Sequence, residues 1–442
     1  MLKNKFETFI SENLLFHTNE KIVLAFSSGI DSVVLAKLLF DSKINFAIAH
    51  CNFRLRGKDS DADEEFAREV AAKYKVDFFS IQFDTKKIAK TRKQGIQEVA
   101  RNLRYEWFEK LRAEVKFDKI ATAHHLNDSI ETFFINVIRG TGIAGLKGIT
   151  KKNNHIVRPL LFASREEIEK FARTKKIKWR EDVSNASDDY LRNRIRHHLI
   201  PFLKEEQKDF EQSMARSLDM FGFIHQIQNT FVAEWKEKFI TTSNEGFYLI
   251  PLKEIEKDEQ PAALLSTILY SFGIITIKSE KVLKSGSGKI FKSKGFTLLH
   301  DRKMLILKID QVQKNRSLFL STFPDTIKIG THSYNFQLYS SSKLRGIPHE
   351  ENVEVLDAGK LKLPLQIRPW QAGDFFYPLG MSRKKKVSDF LIDKKVNRFE
   401  KEMINVLLSG NDIVCILGLR IDNRFKIDQE TTTVLQIEKN NE

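Results

Sequence analysis

Short apolar runs alternate with amphipathic stretches along the first 200 residues of the chain. Lys21–Phe26 and Asn45–His50 have the length and β-rich composition of buried strands, whereas Asp59–Tyr74 repeats its apolar positions at helical spacing. The same pattern predicts further strands at Val76–Phe83, Asp118–Ala123 and Ile156–Leu161, and helices at Asp31–Phe40, Gln94–Ala113, Asp128–Arg139 and from Ser164, where Glu167 completes a capping box. Such alternation predicts an α/β domain with a doubly wound parallel sheet and helices on both of its faces.

The pattern changes after this region. From about Phe202 to Gln228 it is helical without strands, and shorter mixed segments, including the β-rich FTLLHDRKMLILKI, continue to Leu307. A polar break near Gln313–Ser317 precedes a final stretch with α+β character, Asn352–Ile437. We therefore expect three domains: an α/β domain at 1–201, a mainly helical middle domain at 202–315, and a small α+β C-terminal domain at 316–442.

Composition narrows the class of protein. With 41% apolar and 30% charged residues, the 442-residue chain can form packed cores, which excludes wholesale disorder. No run approaches the roughly 20 apolar residues needed to cross a bilayer, and Glu7 and Glu12 interrupt the segment where a signal peptide would be apolar. Two cysteines cannot form a disulfide framework. These features predict a cytoplasmic protein that has no membrane partner.

The charge balance points to a partner. A net charge of +15 favours binding to a polyanion, most often nucleic acid, although a lysine-rich compositional bias would explain it too.

A serine-lined turn follows the first predicted strand. Its sequence is Ser27-Ser28-Gly29-Ile30-Asp31-Ser32, and it opens the next helix, whose first amides lack intrahelical partners and suit a pyrophosphate group. Gly29 allows a positive φ and close approach of a ligand. A carboxylate beside phosphates is explained if Asp31 binds Mg²⁺. The spacing fits neither a Walker loop nor GxGxxG, and an ordinary strand-to-helix turn remains the alternative.

A second polar group follows the fourth predicted strand, at the edge of the sheet where α/β proteins bind ligands. His124 and His125 emerge there, and a helix capped by Asn127 would place Asp128 and Glu131 on one face. Paired carboxylates can hold a metal or an ammonium group, but they also occur simply to complement the helix dipole.

Basic residues form two further groups. Arg192, Arg194 and Arg196 could contact RNA phosphates or the nucleotide, or could form a solvated face. Arg368 and the run Lys384–Lys386 lie close in sequence to Trp370 and Phe375, a combination that suits stacking and phosphate contact with loop RNA unless the aromatic residues are core.

These motifs together resemble a known family. The turn is similar to the SGGxDS loop of the PP-loop (N-type) ATP pyrophosphatases, with Ser28 where that family has its first glycine. Residues 124–132 resemble the HHxxDxxET element of one branch, the tRNA(Ile)-lysidine synthetases. Further similar elements follow in the order of that branch, at Glu98–Tyr105, Arg139–Leu146, Arg158–Leu161, Glu181–Asn185, Tyr190–Arg196 and Arg368–Lys386. The resemblance implies an adenine-nucleotide alpha hydrolase-like fold for the first domain.

The resemblance also implies a reaction. ATP, with Mg²⁺ at Asp31 and its phosphates on Ser27–Ser32, would adenylate the wobble cytidine of a tRNA(Ile) with a CAU anticodon. Free L-lysine would then displace AMP, with Asp128 and Glu131 recognising its ammonium group and one of Asp128, Glu131 or His125 accepting a proton. By the same resemblance, Arg104 and Arg192 would bind substrate and balance phosphate or carboxylate charge, Arg196 would also bind substrate, and the RNA-binding residues would be Arg194, Arg368, Lys384, Lys385 and Lys386. A homodimer is the default expectation.

Three other functions fit part of the sequence. A tRNA thiolase of the same superfamily would share the phosphate turn but typically needs a cysteine pair, whereas Cys51 and Cys415 stand in no such motif. An enzyme similar to GMP synthetase has little use for the basic surface. A binding module without catalysis would leave the turn and the carboxylates unexplained.

Overall fold

The structure is a computed structural model, and it describes residues 2–180, 188, 190–310, 317–330, 332–343 and 352–441. The predicted motif at Glu181–Asn185 lies outside these residues. The chain divides into two compact units, Met1–Ile227 and Gln228–Glu442. In the part of the chain that is described, no helix combines the length and apolar character needed to span a membrane.

The first unit is built on a six-stranded sheet with the order β3-β2-β1-β4-β6-β5. Its strands are β1 (Ile22–Ala25), β2 (Phe46–Asn52), β3 (Phe78–Gln82), β4 (Lys119–Ala121), β5 (Lys152–Asn153) and β6 (Ile156–Val157). All pairings are parallel except that of the edge strand β5 with β6. Because the chain winds outward from β1 to β3 and then returns to β4, the order reverses between β1 and β4, where such sheets bind ligands.

Helices cover both faces of this sheet. The helices of this part of the chain are α1 (Leu2–Glu12), α2 (Ile30–Asp41), α3 (Lys58–Tyr74), α4 (Thr85–Arg92), α5 (Ile96–Val115), α6 (Leu126–Ile138), α7 (Ile143–Leu146), α8 (Arg165–Thr174), α9 (Leu191–Arg194), α10 (Ile200–Glu206) and α11 (Phe210–Phe239), the last of which begins in the first unit and continues past Ile227. A π-helical turn, Ile195–Leu199, joins α9 to α10.

Alternate residues of β1 enter different cores. Ile22 and Leu24 pack with α1, α2 and α8, whereas Val23 packs with Phe108 of α5 and Phe117 on the other face. A sheet buried on both sides needs continuous apolar strands, which explains the unbroken run in β1. The predicted doubly wound α/β fold is confirmed.

Two predicted boundaries are wrong. Helix α6 begins at Leu126, with His125 rather than Asn127 as its N-cap residue. The predicted strand at Ile156–Leu161 ends at Val157, because Pro159 lacks the N–H that would continue a ladder and Arg158–Leu161 forms a turn. The predicted capping box at Ser164 is present, with Ser164 Oγ accepting from the Glu167 N–H at 3.2 Å.

The second unit begins with an antiparallel sheet of order β7-β8-β11-β10-β9. Its strands are β7 (Thr241–Thr242), β8 (Tyr248–Pro251), β9 (Ile290–Ser293), β10 (Phe296–Asp301) and β11 (Met304–Ile309), and the helices beside them are α12 (Leu252–Glu256), α13 (Pro261–Ser271) and α14 (Ser279–Leu283). The helical pattern of the sequence therefore corresponds to Ile200–Phe239 and to α12–α14, and the β-rich run forms the β10–β11 hairpin.

Antiparallel sheets also make up the rest of the second unit, with the orders β12-β16-β19-β20-β21, β13-β14-β22-β15 and β17-β18. Their strands are β12 (Leu318–Leu320), β13 (Asp325–Ile329), β14 (His332–Ser340), β15 (Val353–Asp357), β16 (Leu365–Pro369), β17 (Phe375–Phe376), β18 (Lys385–Lys386), β19 (Asn405–Ser409), β20 (Asp412–Ile416), β21 (Arg420–Ile421) and β22 (Thr433–Asn441). Two short helices, α15 (Val387–Asp393) and α16 (Arg398–Met403), complete the α+β character that the sequence predicts.

Candidate active site

The turn between β1 and α2 has its left-handed residue at a serine. Gly29 is extended, with φ −72°, and the residue at positive φ is Ser28, at +67°. Gly29 therefore does not adopt the positive φ that glycine allows, and the left-handed residue is one position earlier. A Cβ on Gly29 would meet only Ser27 Oγ, at 3.6 Å, so this side of the turn is open to a ligand.

Ser28 is buried and held by two neighbouring segments. Its hydroxyl donates to the Asp63 carbonyl of α3 at 2.7 Å, and its own carbonyl accepts from the Arg180 N–H at 3.0 Å. The Asp63 carboxylate in turn pairs with Arg180 Nε at 2.5 Å and with Arg56 Nη2 at 2.9 Å. A serine in a left-handed conformation costs free energy relative to glycine, and here its hydroxyl makes a hydrogen bond that glycine could not make.

The serine hydroxyls complete the turn. Ser32 Oγ accepts from the Ser27 N–H at 3.3 Å and donates to the Gly29 carbonyl at 2.9 Å. Ile30, also predicted to bind the cofactor, buries its side chain in the core, so only its backbone faces the turn. At the start of α2, the first N–H groups lack intrahelical partners and carry the positive end of the helix dipole. The turn can therefore hold an anion.

Asp31, His125 and Asp128 lie close together beside this turn. His125 Nε2 is 3.9 Å from Asp31 Oδ1 and 3.6 Å from Asp128 Oδ2. Asp128 also accepts from the His125 N–H at 3.0 Å, which fixes its carboxylate at the N-terminus of α6. His125 Nδ1 is buried and has no hydrogen-bond partner within the described residues.

Glu131 follows one turn later on the same face of α6 and is fully buried. Arg196 approaches both of its oxygens, Nε at 2.6 Å and Nη2 at 3.1 Å. Arg192 Nε lies 2.9 Å from Oε2, but its direction leaves it without a hydrogen bond among the described residues. A buried carboxylate of this kind is stable only because cations compensate its charge.

The electrostatics favour an ionised Asp128. Burial opposes its ionisation, but His125, His124 and the His125 N–H outweigh burial and hold the pKa of Asp128 below its usual range. Burial lowers the pKa of His124 to about 4, so this imidazole is neutral at pH 7, and its Nδ1 lies 2.8 Å from Thr122 Oγ1. Arg196 is half-buried, and although this partial burial opposes its charge, its hydrogen bonds to Glu131 raise its pKa above the ordinary value.

Arg165 belongs to this site and was not predicted. Its Nη1 lies 2.9 Å from both oxygens of Asp31, although the two residues are 134 positions apart. The capping box at Ser164 places Arg165 at the first position of α8, but nothing in the local pattern indicates that this helix begins beside α2.

The other predicted residues of the first unit lie at its surface. Arg104 stacks over the Phe53 ring, with its guanidinium carbon 5.2 Å from the ring centroid. Arg194 is exposed and lines a groove with Leu191, His198 and Phe202.

In the second unit the predicted RNA-binding residues differ in their partners. Arg368 makes a two-pronged pair with Asp374, with both contacts at 2.8 Å. Lys385 pairs with Asp393. Lys384 and Lys386 are exposed, and Lys384 Nζ lies 5.2 Å from the centroid of the Phe375 ring.

Comparison with known proteins agrees with this architecture. Residues 1–203 match the PP-loop domain, residues 242–311 the TilS substrate binding domain, and residues 365–438 the TilS substrate C-terminal domain. A tRNA(Ile)-lysidine synthase of Bacteroides thetaiotaomicron is 35% identical over 98% of this chain and 99% of its own length. The tRNA(Ile)-lysidine synthase of Parabacteroides distasonis is 35% identical over 97% of each chain. Among solved structures, a U34-tRNA thiolase of Methanococcus maripaludis covers 49% of this chain and 76% of its own, with 20% identity and a TM-score of 0.42.

The fold, the serine-lined turn and the family match define a PP-loop protein, a class that uses ATP. Its two further domain matches and its full-length relatives assign it within that class. The chain belongs to the tRNA(Ile)-lysidine synthase family, as the sequence motifs predicted.

Proposed function

We propose that this chain joins free L-lysine to C2 of the wobble cytidine in a tRNA(Ile) with a CAU anticodon, with conversion of ATP to AMP and pyrophosphate. The observation that carries the proposal is the meeting of the phosphate turn with Asp31, His125 and Asp128 at the switch point between β1 and β4. The names of the full-length relatives and the net charge of +15 support tRNA as the substrate.

The first step is adenylation of the cytidine. The turn Ser27–Ser32 holds the triphosphate, O2 of the base attacks the α-phosphorus, and the bond from that phosphorus to the bridging oxygen breaks, which releases pyrophosphate. Donors that are already in place stabilise the charge that develops on the leaving group.

Asp31 suits Mg²⁺ in this step. Within the described residues no group of three or more His, Cys, Asp or Glu side chains is arranged to hold a metal. Mg²⁺ commonly binds through one or two carboxylates together with substrate phosphates, and the Asp31 carboxylate beside an anion-binding turn fits that requirement. When bound, Mg²⁺ would neutralise charge on the phosphates.

The second step is attack by lysine. Asp128 stays ionised because its pKa is low, so it suits recognition of the lysine ammonium, with Glu131 behind it on the same face of α6. A carboxylate with a low pKa is a weak base. His125, whose Nδ1 has no partner among the described residues, is therefore our choice for the group that accepts the proton. The lysine Nζ then attacks C2, the C2–O bond breaks, and AMP leaves.

The finer assignments are also proposals. We assign charge balance to Arg104 and Arg192, substrate binding to these two residues and Arg196, and tRNA contacts to Arg194, Arg368 and Lys384–Lys386. We further propose that the three domains span residues 1–201, 202–315 and 316–442, that the protein is cytoplasmic, and that it forms a homodimer.

A tRNA thiolase is the second candidate, and the two cysteines argue against it. Burial raises the pKa of Cys51 to about 12, and burial beside Glu354 raises the pKa of Cys415 well above its ordinary value. Sulfur transfer needs an accessible thiolate, which neither residue provides.

Pyrophosphate release by the purified full-length chain tests the proposal. With ATP and an unmodified tRNA(Ile) transcript, we expect release that depends on the RNA, and transfer of radioactive lysine to that RNA. Asp31→Ala should abolish both while tRNA binding stays within about twofold. Asp41→Ala is the matched control, since Asp41 ends the same helix and, among the described residues, forms its ion pair with Lys37 across one turn. Release that requires a sulfur donor instead of lysine would favour the thiolase.

A further inference from the structure

Arg165 is held rigidly at the edge of the phosphate turn. It is the first residue of α8, where Ser164 and Glu167 cap the helix reciprocally. Its backbone N–H donates to Asn127 Oδ1 at 2.9 Å, which ties the start of α8 to the start of α6. The backbone of Arg165 is therefore held by two helix termini, both of which border the site.

The guanidinium occupies the part of Asp31 that a cation would need. Arg165 Nη1 is 2.9 Å from Oδ1 and 2.9 Å from Oδ2, so a single N–H group covers both carboxylate oxygens. Arg165 Nε bonds separately to Glu169 Oε1 at 2.9 Å. The pair is partly open to solvent, since the Asp31 side chain is 27% exposed and the Arg165 side chain 41% exposed. Ion pairs with this exposure are weak enough to exchange partners.

We propose that Arg165 is a positioning residue that holds Asp31 in place when no metal is bound, and that pairs with the pyrophosphate portion of ATP once a divalent cation takes the carboxylate. The bond from Nε to Glu169 keeps the guanidinium beside the site during this exchange. A planar guanidinium suits the second role, since it donates to phosphate oxygens in pairs. The inference rests on the proposed function in one respect, namely that Asp31 binds the metal.

Two effects of opposite sign test this exchange. Removing the guanidinium should make the metal bind more tightly, because the carboxylate is no longer occupied and a positive charge beside the metal is gone. It should also slow pyrophosphate release, because a donor to the leaving group is lost. A residue that merely supported the fold would weaken both.

The first measurement is direct binding of Mn²⁺ to the full-length chain without nucleotide, followed by the electron paramagnetic resonance signal of free Mn²⁺. Arg165→Gln should lower the Kd about threefold, within the 1.5- to 5-fold range that a partly exposed pair contributes. Arg173→Gln is the matched control: it lies on the same helix and contacts the same Glu169, at 3.6 Å, but does not reach Asp31. Arg165→Lys should give an intermediate affinity for Mn²⁺, since lysine keeps the positive charge but lacks the paired N–H donors of the guanidinium.

The second measurement is the rate of pyrophosphate release with saturating ATP and tRNA. Arg165→Gln should lower it about tenfold or more, the usual effect of losing one charged donor to a developing anion, and Arg173→Gln should stay within about twofold. Equal Mn²⁺ affinity in Arg165→Gln and Arg173→Gln overturns the proposal. So does tighter Mn²⁺ binding without slower release. If the parent chain releases no pyrophosphate with any tRNA, the proposed function fails, whereas the Mn²⁺ titration still decides whether Arg165 and metal compete for Asp31.

Discussion

Replacing Ser28 separates two opposing contributions to the stability of the phosphate turn. At φ +67° a side chain costs about 1–2 kcal/mol relative to glycine. The buried hydrogen bond from Ser28 Oγ to the Asp63 carbonyl, at 2.7 Å, returns about 1 kcal/mol. Loss of this bond does not strand the carbonyl, because Asp63 lies inside α3 and its oxygen retains its helical position.

The two substitutions at this position should therefore differ in sign. Ser28→Ala keeps the strain and loses the hydrogen bond, so we expect the turn to become less stable by about 1 kcal/mol. Ser28→Gly loses the bond but relieves the strain, so we expect a change between zero and a gain of about 1 kcal/mol. Hydrogen exchange of peptides covering residues 22–41 measures the free energy of opening for this segment alone, which is preferable to a melting temperature in a chain of several domains.

Lys43→Gly supplies the control for strain. Lys43 follows α2, has φ +57°, and is exposed, and no side-chain hydrogen bond is described for it. Its replacement should stabilise the same peptides by about 1 kcal/mol or more, because strain is relieved and no bond is lost. The hydrogen bond contributes nothing if Ser28→Gly stabilises as much as Lys43→Gly. If Ser28→Ala is as stable as Ser28→Gly, the strain argument is wrong.

Glu131→Gln should destabilise the first unit by about 1–3 kcal/mol in hydrogen exchange, because the half-buried Arg196 loses charge-assisted hydrogen bonds to a buried carboxylate, and a loss below about 1 kcal/mol would contradict this account. The pKa of Asp128 is below its ordinary value, so its stabilising contribution is complete above about pH 4 and is lost as the pH falls through the lower folded-state pKa. The Asp128→Asn variant should not show this loss of stability at low pH. Identical curves of stability against pH for the variant and the parent chain would refute this prediction. Lys384→Gln should reduce the slope of log affinity for tRNA against log salt concentration by about 1. Arg368→Gln should reduce this slope too and should also lower the stability of the second unit, because Asp374 loses its partner. Equal stability of the Lys384→Gln and Arg368→Gln variants would contradict the role of the Arg368–Asp374 pair.

Local patterns predicted local structure well. The apolar runs predicted β1 and β2, the helical spacing of apolar residues predicted α3, and the capping box at Ser164 predicted the start of α8. Each of these features depends on residues that are close together in the sequence. The parallel, doubly wound character of the sheet followed from the alternation of strands and helices, since parallel strands need crossovers, whereas the order of the strands was not predicted. Turn motifs at the ends of β1 and β4 could therefore be placed at one edge of the sheet.

Features that depend on distant parts of the chain were not predicted. The pair between Asp31 and Arg165 joins residues 134 positions apart, and no local periodicity encodes it. The positive φ falls on Ser28 rather than Gly29 because contacts from Asp63 and Arg180 fix the turn, and these contacts arise from tertiary packing. Asn127 has the composition of an N-cap, but the N-cap of α6 is His125, two residues earlier, where Asp128 accepts from the His125 N–H.

The side chain of Asn127 sets a narrow chemical requirement. Its amide oxygen takes the N–H that begins α8, while its amide nitrogen donates to Glu211 of α11 at 2.6 Å. Aspartate has the same shape but would set a second negative charge against Glu211, and leucine would offer neither bond. Glutamine would carry both groups one methylene too far. One side chain thus joins the starts of α6 and α8 to α11, and among the natural side chains of this size asparagine alone both accepts and donates in this way, even though Asn127 need never touch a substrate.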